Sequence, residues 1–500
     1  MRLDAGLAPA APSLAGLVRR NAGALADSPA VIEGRLRWTW WDLDARANAV
    51  AVALAAAGLG PGTRLALLAR ARAETIALVH GAALAGIVVV PLNHRLADVE
   101  LGRYLAEVNV AAIAASKDQV ARASRLDPEV LAIEDLAASR PFAQARGSVE
   151  PTDSESPAVI VATSGTTGKP KGAVLSHGQL AASAAAWNVF LPPATGWLAS
   201  LSLAHVGGIG IVWRAALAGV PVVIPAGVDA AALLAALAER PVSHVSIVAA
   251  QLARLLEAAA GAAPPGLRAV LLGGGPLPPQ LVERAIALGW PLVPTYGMTE
   301  SASGVTALPT SDVRDRPGSA GRPLPGVQLR IVEQGRDAVG EIEVRGPSLF
   351  SGYFRRTQET AAATRGDGWY RSGDLGSLDA DGYLTVVDRR LDLIVSGGEN
   401  VYPAEVEAVL ASHPAVGDAG VAARPDPKWG AVPVAAVAIR PGATAVDEEL
   451  IEFCRARLAG FKVPAAIVHV PLVPRFDSGK LNRQALRALL SADAVQEHER

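Results

Sequence analysis

Residues 161–177 read VATSGTTGKPKGAVLSH. Between apolar flanks at Ala158–Ala162 and Ala173–Leu175 stand Ser164, Gly165, Thr166, Thr167, Gly168, Lys169, Lys171 and Gly172, with no acid among them. Small residues let a backbone approach a ligand closely, hydroxyls donate hydrogen bonds, and lysines add positive charge. That composition suits a polyanion, above all a nucleotide polyphosphate. The β-branched flanks make the stretch a loop joining two buried strands. It is not a Walker A loop, which needs four residues between its glycines and then Gly-Lys-Ser/Thr. Here Gly165 and Gly168 are three apart and Lys169 precedes a proline. A solvated hairpin has the same composition, so the rest of the chain must decide.

Outward from this loop, the chain alternates short apolar runs with helical spacing. On the N-terminal side, Arg64–Leu68, Gly86–Pro91 and Ala111–Ala115 read as strands and Trp40–Leu59, Ala73–Ala85 and Asp98–Val108 as helices, the last with Asp98 as its cap. On the C-terminal side, strands at Val220–Pro225, His244–Val248, Leu267–Leu272 and Leu292–Thr295 alternate with helices at Ala230–Glu239, Gln251–Ala258 and Pro279–Leu288. This is the rhythm of layered α/β units with a largely parallel sheet. From about Gly318 the pattern turns β-rich, with an Asp381-Gly382 turn. After Asp388 comes a last segment of mixed strands and helices. The expected fold is therefore α/β: a large N-terminal domain (1–388) of two α/β subdomains plus a small β-rich unit, and a small α+β C-terminal domain (389–500).

Five hundred residues, half of them hydrophobic, can bury several cores. A net charge of −2, from 46 basic and 48 acidic residues, makes no electrostatic case for nucleic acid or an anionic membrane surface. The single cysteine, Cys454, excludes an internal disulfide framework and a cysteine metal cluster. Asp4, Pro9 and Pro12 interrupt any signal-peptide core, and glycines and a proline break the longest apolar run, Ile76–Leu92. A cytoplasmic protein without a membrane span is expected; self-association is left open.

Three further stretches can carry chemistry. Tyr296-Gly297-Met298-Thr299-Glu300 follows a strand, where α/β sheets bind ligands. An aromatic face there can stack on adenine, Thr299 can donate to phosphate, and Glu300 can hold Mg²⁺. In Trp369–Asp374, a carboxylate after a Ser-Gly turn can accept both hydroxyls of a ribose, with Arg389 adding a charged contact. An ordinary strand-end turn and a surface ion pair are the plainer readings. Asp477-Ser478-Gly479-Lys480 places a lysine on a turn, where it is usually solvated.

Together TSGTTGKPKG (163–172), YGMTE (296–300), WYRSGDLG (369–376), DRRLDLIVSGGENVYPAEVE (388–407) and GKLNR (479–483) resemble the adenylate-forming superfamily of acyl-CoA synthetases, luciferases and adenylation domains. The likeness runs from about residue 20 to 490. It implies that a small-molecule carboxylic acid attacks ATP to give an acyl-adenylate, and that a thiol, usually of coenzyme A, then displaces AMP. By this resemblance Thr163 and Ser164–Lys169 embrace the β- and γ-phosphates, and Thr299 and Glu300 serve the phosphate and Mg²⁺. Asp374 and Arg389 hold the ribose. Gly274, Gly275 and Tyr296, with Gly297 and Met298 beside them, frame the adenine. Lys480 bridges the carboxylate and the α-phosphate. The C-terminal domain is a lid that rotates between half-reactions, bringing Gly397 and Gly398 to the thiol's path in one pose. Leu391 stands where relatives often carry a polar hinge residue, and Ser372 where threonine is common.

The stretches 201–219, 245–256 and 269–278 are most similar to the o-succinylbenzoate–CoA ligases of menaquinone synthesis. Such a substrate is an aromatic acid with a ketone and a second carboxylate, which needs a cation in the pocket. Arg214 is the candidate, against the alternative of an exposed helix arginine. His205 is expected at the pocket wall or gate and is counted with Lys480, Thr299 and Glu300 among the catalytic candidates. Gly274 lines the acyl side as well. Ala204 departs from the phenylalanine usual before this histidine, which keeps a medium-chain or aryl acyl-CoA synthetase open. A non-catalytic adenylate sensor would be expected to lack Lys480 or Glu300.

Overall fold

A computed structural model describes residues 14–126, 128–138, 153–164, 170–259, 262–275, 277–332, 339–388, 393–475 and 481–491. The opening stretch forms a hairpin, Pro157–Ser164 paired antiparallel with Pro170–Ser176, with Thr163 opposite Lys171. Around it a sheet runs in the order Gly352–Tyr353, Pro170–Ser176, Pro157–Ser164, Val88–Pro91, Arg64–Leu68, Ala112–Ala115, Glu129–Ala132. From Pro157–Ser164 onward the neighbours are parallel. Runs such as VVVP and AIAA are buried at every position, as strands covered on both faces must be.

The second sheet runs Leu36–Thr39, Pro29–Glu33, Val222–Ile224, Trp197–Leu198, His244–Ile247, Ala269–Leu272, Leu292–Tyr296, Thr306–Ala307, Arg322–Pro323. It is parallel from Pro29–Glu33 to Leu292–Tyr296 and antiparallel at both ends. Both sheets are thus largely parallel, as expected, with antiparallel strands at their edges. The helix Ala73–Leu84 packs on Pro29–Glu33 of one sheet and Val88–Pro91 of the other, so it is apolar almost all round. One apolar core joins both sheets through it and through His177–Phe190 and Val206–Ala218.

Asp98 is not the cap of its helix. Ala97 holds that position, its N–H donates to Glu100 Oε2 at 2.7 Å, and Asp98 instead pairs with Arg122 at 2.6 Å. The short helices Lys117–Ala123, Ile133–Ala138 and Thr357–Ala363 escape sequence reading, being too brief to show a period.

The β-rich unit is an antiparallel sheet of Gln328–Val332, Gly340–Arg345, Tyr370–Leu378 and Leu384–Asp388. The C-terminal unit has its own sheet: Glu399–Val401, Ile394–Ser396, Gly430–Ile439 and Val416–Asp426, with Ile467–His469 alongside Gly430–Ile439. Ile394, Val406, Leu410, Val421, Leu450 and Cys454 fill its core. Burial raises the Cys454 thiol to about 11, which leaves it inert. Asp388 ends the last strand of the β-rich unit and Ile394 opens the C-terminal sheet; Leu391, at the expected hinge, lies outside the described residues. No helix among the described residues is long and apolar enough to cross a membrane.

Candidate active site

The strands' carboxyl ends, the β-rich unit and the C-terminal unit enclose a cavity of about 350 Å³. Its wall includes Thr163, His205, Arg214, Gly274, Gly297, Met298, Thr299, Glu300, Asp374 and Gly398. Residues as far apart in sequence as Pro91 and Lys462 thus face one space. Gly275, Tyr296 and Gly397 are not on this wall. The backbone of Ser164 closes the Pro157–Ser164 strand, while Gly165, Thr166, Thr167, Gly168, Lys169, Arg389 and Lys480 lie outside the described residues.

Tyr296 sits at the end of its strand with the ring 1% exposed, packed on Val305, Ile342, Val344 and Leu384. Neither its face nor its hydroxyl lines the cavity; the hydroxyl donates to Asp374 Oδ2 at 2.7 Å, and Asp374 faces the site. The β-rich unit covers the ring, which a local reading of YGMTE could not foresee. Asp374 is held from behind as well: its N–H donates to Ser372 Oγ at 3.0 Å, and Ser372 donates to Ile342 O at 2.6 Å. The hydroxyl kept by Ser372 is therefore structural.

Glu300 is buried at the cavity wall and accepts from the Tyr353 hydroxyl at 2.6 Å. No cluster of three metal-binding side chains exists among the described residues. A single carboxylate beside a polyphosphate site is nevertheless the donor set that suits Mg²⁺, which takes one or two protein oxygens and the rest from phosphate and water.

Arg214 is 3% exposed and projects from the helix Val206–Ala218 into the cavity. It is not the exposed helix arginine of the alternative reading. Its guanidinium donates to Ser303 Oγ at 2.5 Å and lies over the rings of Trp187 and Trp197, at 5.1 and 5.4 Å. No carboxylate pairs with it among the described residues, and burial pushes its pKa down to about 9. Ser303, with Ala302, holds a positive φ (81° and 49°) without being glycine, a strained backbone that aims its hydroxyl at Arg214. Nearby, Ser246 Oγ is buried on the cavity wall without a hydrogen-bond partner. Sequence reading missed Ser303 and Ser246, since neither lies in a pattern that singles out a hydroxyl.

The C-terminal unit closes the other side. Gly397 and Gly398 have φ of 59° and 87°; a Cβ would stand 2.7 Å from the Trp429 ring and 3.1 Å from Val248 Cγ2, respectively. Only a residue without a side chain fits both the turn and the approach. The next residue, Glu399, accepts from Asn93 Nδ2 at 2.8 Å and Arg95 at 3.2 Å, and meets His205 Nε2 at 3.0 Å. Burial favours the protonated carboxyl of Glu399, yet the His205 bond, Arg95 and Asn93 outweigh it and hold the pKa below the usual value. His205 is thus a contact between the large domain and the C-terminal unit as well as wall, and Glu399 is visible in SGGEN only as a letter beside the two glycines.

Comparison with known proteins fits this arrangement. The family profile for AMP-binding enzymes matches residues 18–354, and that for the AMP-binding enzyme C-terminal domain matches 405–480. The 2-succinylbenzoate–CoA ligase of Bacillus cereus is 39% identical over 425 residues, covering 83% of this chain and 86% of its own. A double mutant of the o-succinylbenzoate CoA synthetase of Bacillus subtilis, bound to its product analogue OSB-NCoA, superposes with a TM-score of 0.86 at 32% identity, over 95% of this chain and 98% of that one. The same synthetase with the acyl-adenylate intermediate OSB-AMP gives 0.70 at 33% identity, over 94% and 98%. The structure therefore superposes more closely on the product-analogue complex than on the acyl-adenylate complex.

Proposed function

The chain belongs to the AMP-binding enzyme family, and we propose that it is an ATP-dependent acid–CoA ligase acting through an acyl-adenylate, with o-succinylbenzoate as the acid, in menaquinone (vitamin K2) biosynthesis. The observation that carries the choice of acid is Arg214. A buried cation with no protein carboxylate is costly unless a ligand supplies the anion, and the spectator carboxylate of o-succinylbenzoate does so. Ser303 fixes the guanidinium, Trp187 offers an aromatic face, and the partnerless hydroxyl of Ser246 can donate to the ketone. A broader medium-chain or aryl acyl-CoA synthetase has no use for this cation.

In the first half-reaction a carboxylate oxygen attacks the α-phosphorus of ATP, and the bond to pyrophosphate breaks. Two anions meet, so cations must gather around the developing charge. Lys169 and its loop neighbours hold the departing phosphates, Lys480 joins the carboxylate to the α-phosphate, and Thr299 donates to phosphate. Glu300 would hold Mg²⁺, which neutralises phosphate charge when bound. Asp374, kept in place by Tyr296 and Ser372, receives the ribose hydroxyls together with Arg389, while Gly274 and Gly275 flank the adenine. In the second half-reaction the thiol sulfur of CoA forms a bond to the acyl carbon and AMP leaves. Gly397 and Gly398, whose backbone packs closely on Trp429 and Val248, line the approach of the narrow pantetheine arm. A cytoplasmic site follows from the same reading, because ATP and CoA are supplied there.

The test is purified protein with ATP, Mg²⁺ and a panel of acids, following pyrophosphate release with and without CoA. Release with o-succinylbenzoate alone is expected. Preference for octanoate or benzoate overturns the choice of acid.

A further inference from the structure

A second polar contact crosses the seam between the large domain and the lid, on the same cavity as Glu399. Lys462, 7% exposed in the lid, donates to Glu100 Oε1 of the large domain at 2.6 Å and to Glu405 Oε1 of its own unit at 2.9 Å. Glu100 cannot swing away, because its other oxygen already accepts from the Ala97 N–H at the start of its helix. Burial works against the Lys462 charge, but the two carboxylates hold its pKa above the usual value.

The three groups belong to different bodies. Glu405 travels with Lys462 wherever the lid goes; Glu100 stays behind. The Lys462–Glu100 bond therefore exists only in the lid seat described here. We infer that Lys462 is a positioning residue that selects this seat, and with it the thioester-forming half-reaction, by bridging Glu100 and Glu405 across the seam. The inference rests on the two-step reading above.

The physical argument is one of like charges. Without the ammonium, Glu100, buried, and Glu405, half-buried, face each other in this seat alone. In any other seat they part and each reaches water. Loss of Lys462 thus weighs on one arm of the lid equilibrium, and a lid equilibrium shifts only by what differs between its states.

The test separates the half-reactions in the full-length protein. For Lys462→Met, pyrophosphate release from ATP and acid is expected to stay within about twofold, while conversion of preformed acyl-adenylate by CoA falls roughly 10- to 100-fold. Adding Glu100→Gln to Lys462→Met removes one of the facing charges and is expected to recover most of that loss, which a merely structural lysine would not allow. Equal loss in both half-reactions, no loss in the second, or no recovery overturns the inference. Should Lys462→Met fold poorly, Glu100→Gln alone, on the body side, is expected to slow only the second half-reaction.

A second readout does not depend on turnover. Spin labels on the exposed positions Val189→Cys and Leu472→Cys report the body–lid distance, Cys454 being buried. Lys462→Met is expected to deplete the distance population that matches this seat by at least about tenfold at saturating CoA. An unchanged population overturns the positioning role. Absence of pyrophosphate release with every acid would overturn the proposed reaction instead.

Discussion

His205 Nε2 and Glu399 Oε2 meet at 3.0 Å across the seam between the large domain and its lid. His205 is also the residue that precedes the cavity helix Val206–Ala218, so one contact links the lid's position to the wall of the acid pocket. Glu399→Gln keeps the shape but removes the charge that His205 and Arg95 share. Bonds to a charged group contribute about 1.5–3 kcal/mol, so a loss of about tenfold in CoA-dependent turnover of the acyl-adenylate is expected. Single-turnover kinetics with preformed acyl-adenylate checks it; an unaltered rate would show the contact to be idle.

Arg214→Gln should discriminate between acids. Truncating one side of a buried charge pair costs about 2–5 kcal/mol, which corresponds to a fall of roughly 30- to 5,000-fold in kcat/KM for o-succinylbenzoate. Benzoate, which has no second carboxylate, should gain in relative terms. Parallel kcat/KM measurements with both acids decide it, and a common loss for the two would move Arg214 out of the recognition role.

Tyr296→Phe removes the hydroxyl that fixes Asp374 and nothing else. A weakening of AMP binding by roughly 3- to 30-fold is expected, with the KM for the acid unchanged. Calorimetric titration with AMP reads the first quantity. If the variant binds AMP like the parent, Asp374 is positioned by Ser372 alone.

Acid should unfold this protein early. Burial lowers the pKa of His80 to about 3 and those of His177 and His244 to about 4, against 6.5 for a free histidine. Between these values the unfolded chain binds protons that the native chain does not, so stability is full above pH 6.5 and falls as pH drops toward 4. Each such histidine costs about 1.4 kcal/mol per pH unit in that window. His80, ring against Trp213 with its Nδ1 unpartnered, is the one to replace. His80→Phe is expected to flatten the Tm–pH curve between pH 4 and 6.5; a curve of unchanged slope would show that His80 does not carry the linkage.

What the chain discloses before folding depends on how far apart the cooperating residues are. The composition of residues 161–177 suits a polyanion without excluding a solvated hairpin, while the alternation on either side announces α/β layers. Asp374 stands out in sequence as a carboxylate after a Ser-Gly turn, and the structure sets it on the cavity wall. Tyr296 is not legible in this way. Its ring and hydroxyl lie in different environments, and only the β-rich unit, folded over the ring from residues 328–388, assigns each to its place. Glu399 and His205 are 194 positions apart and Lys462 and Glu100 are 362 apart. No local pattern encodes such pairs. Ser303 is hidden for another reason: its role depends on a backbone angle that serine rarely takes, and the amino-acid letter says nothing of that.

Arg214 has one more consequence, for the lifetime of the protein. With its pocket empty, the chain carries a buried positive charge that no carboxylate among the described residues neutralises. Any anion that fills the pocket binds the folded form alone and so deepens the folded well by an amount set by its concentration over its Kd. The unoccupied protein is then the version that opens more often and meets proteases sooner. How much enzyme a cell keeps would track how much acid it has to activate, with no regulator beyond the guanidinium itself.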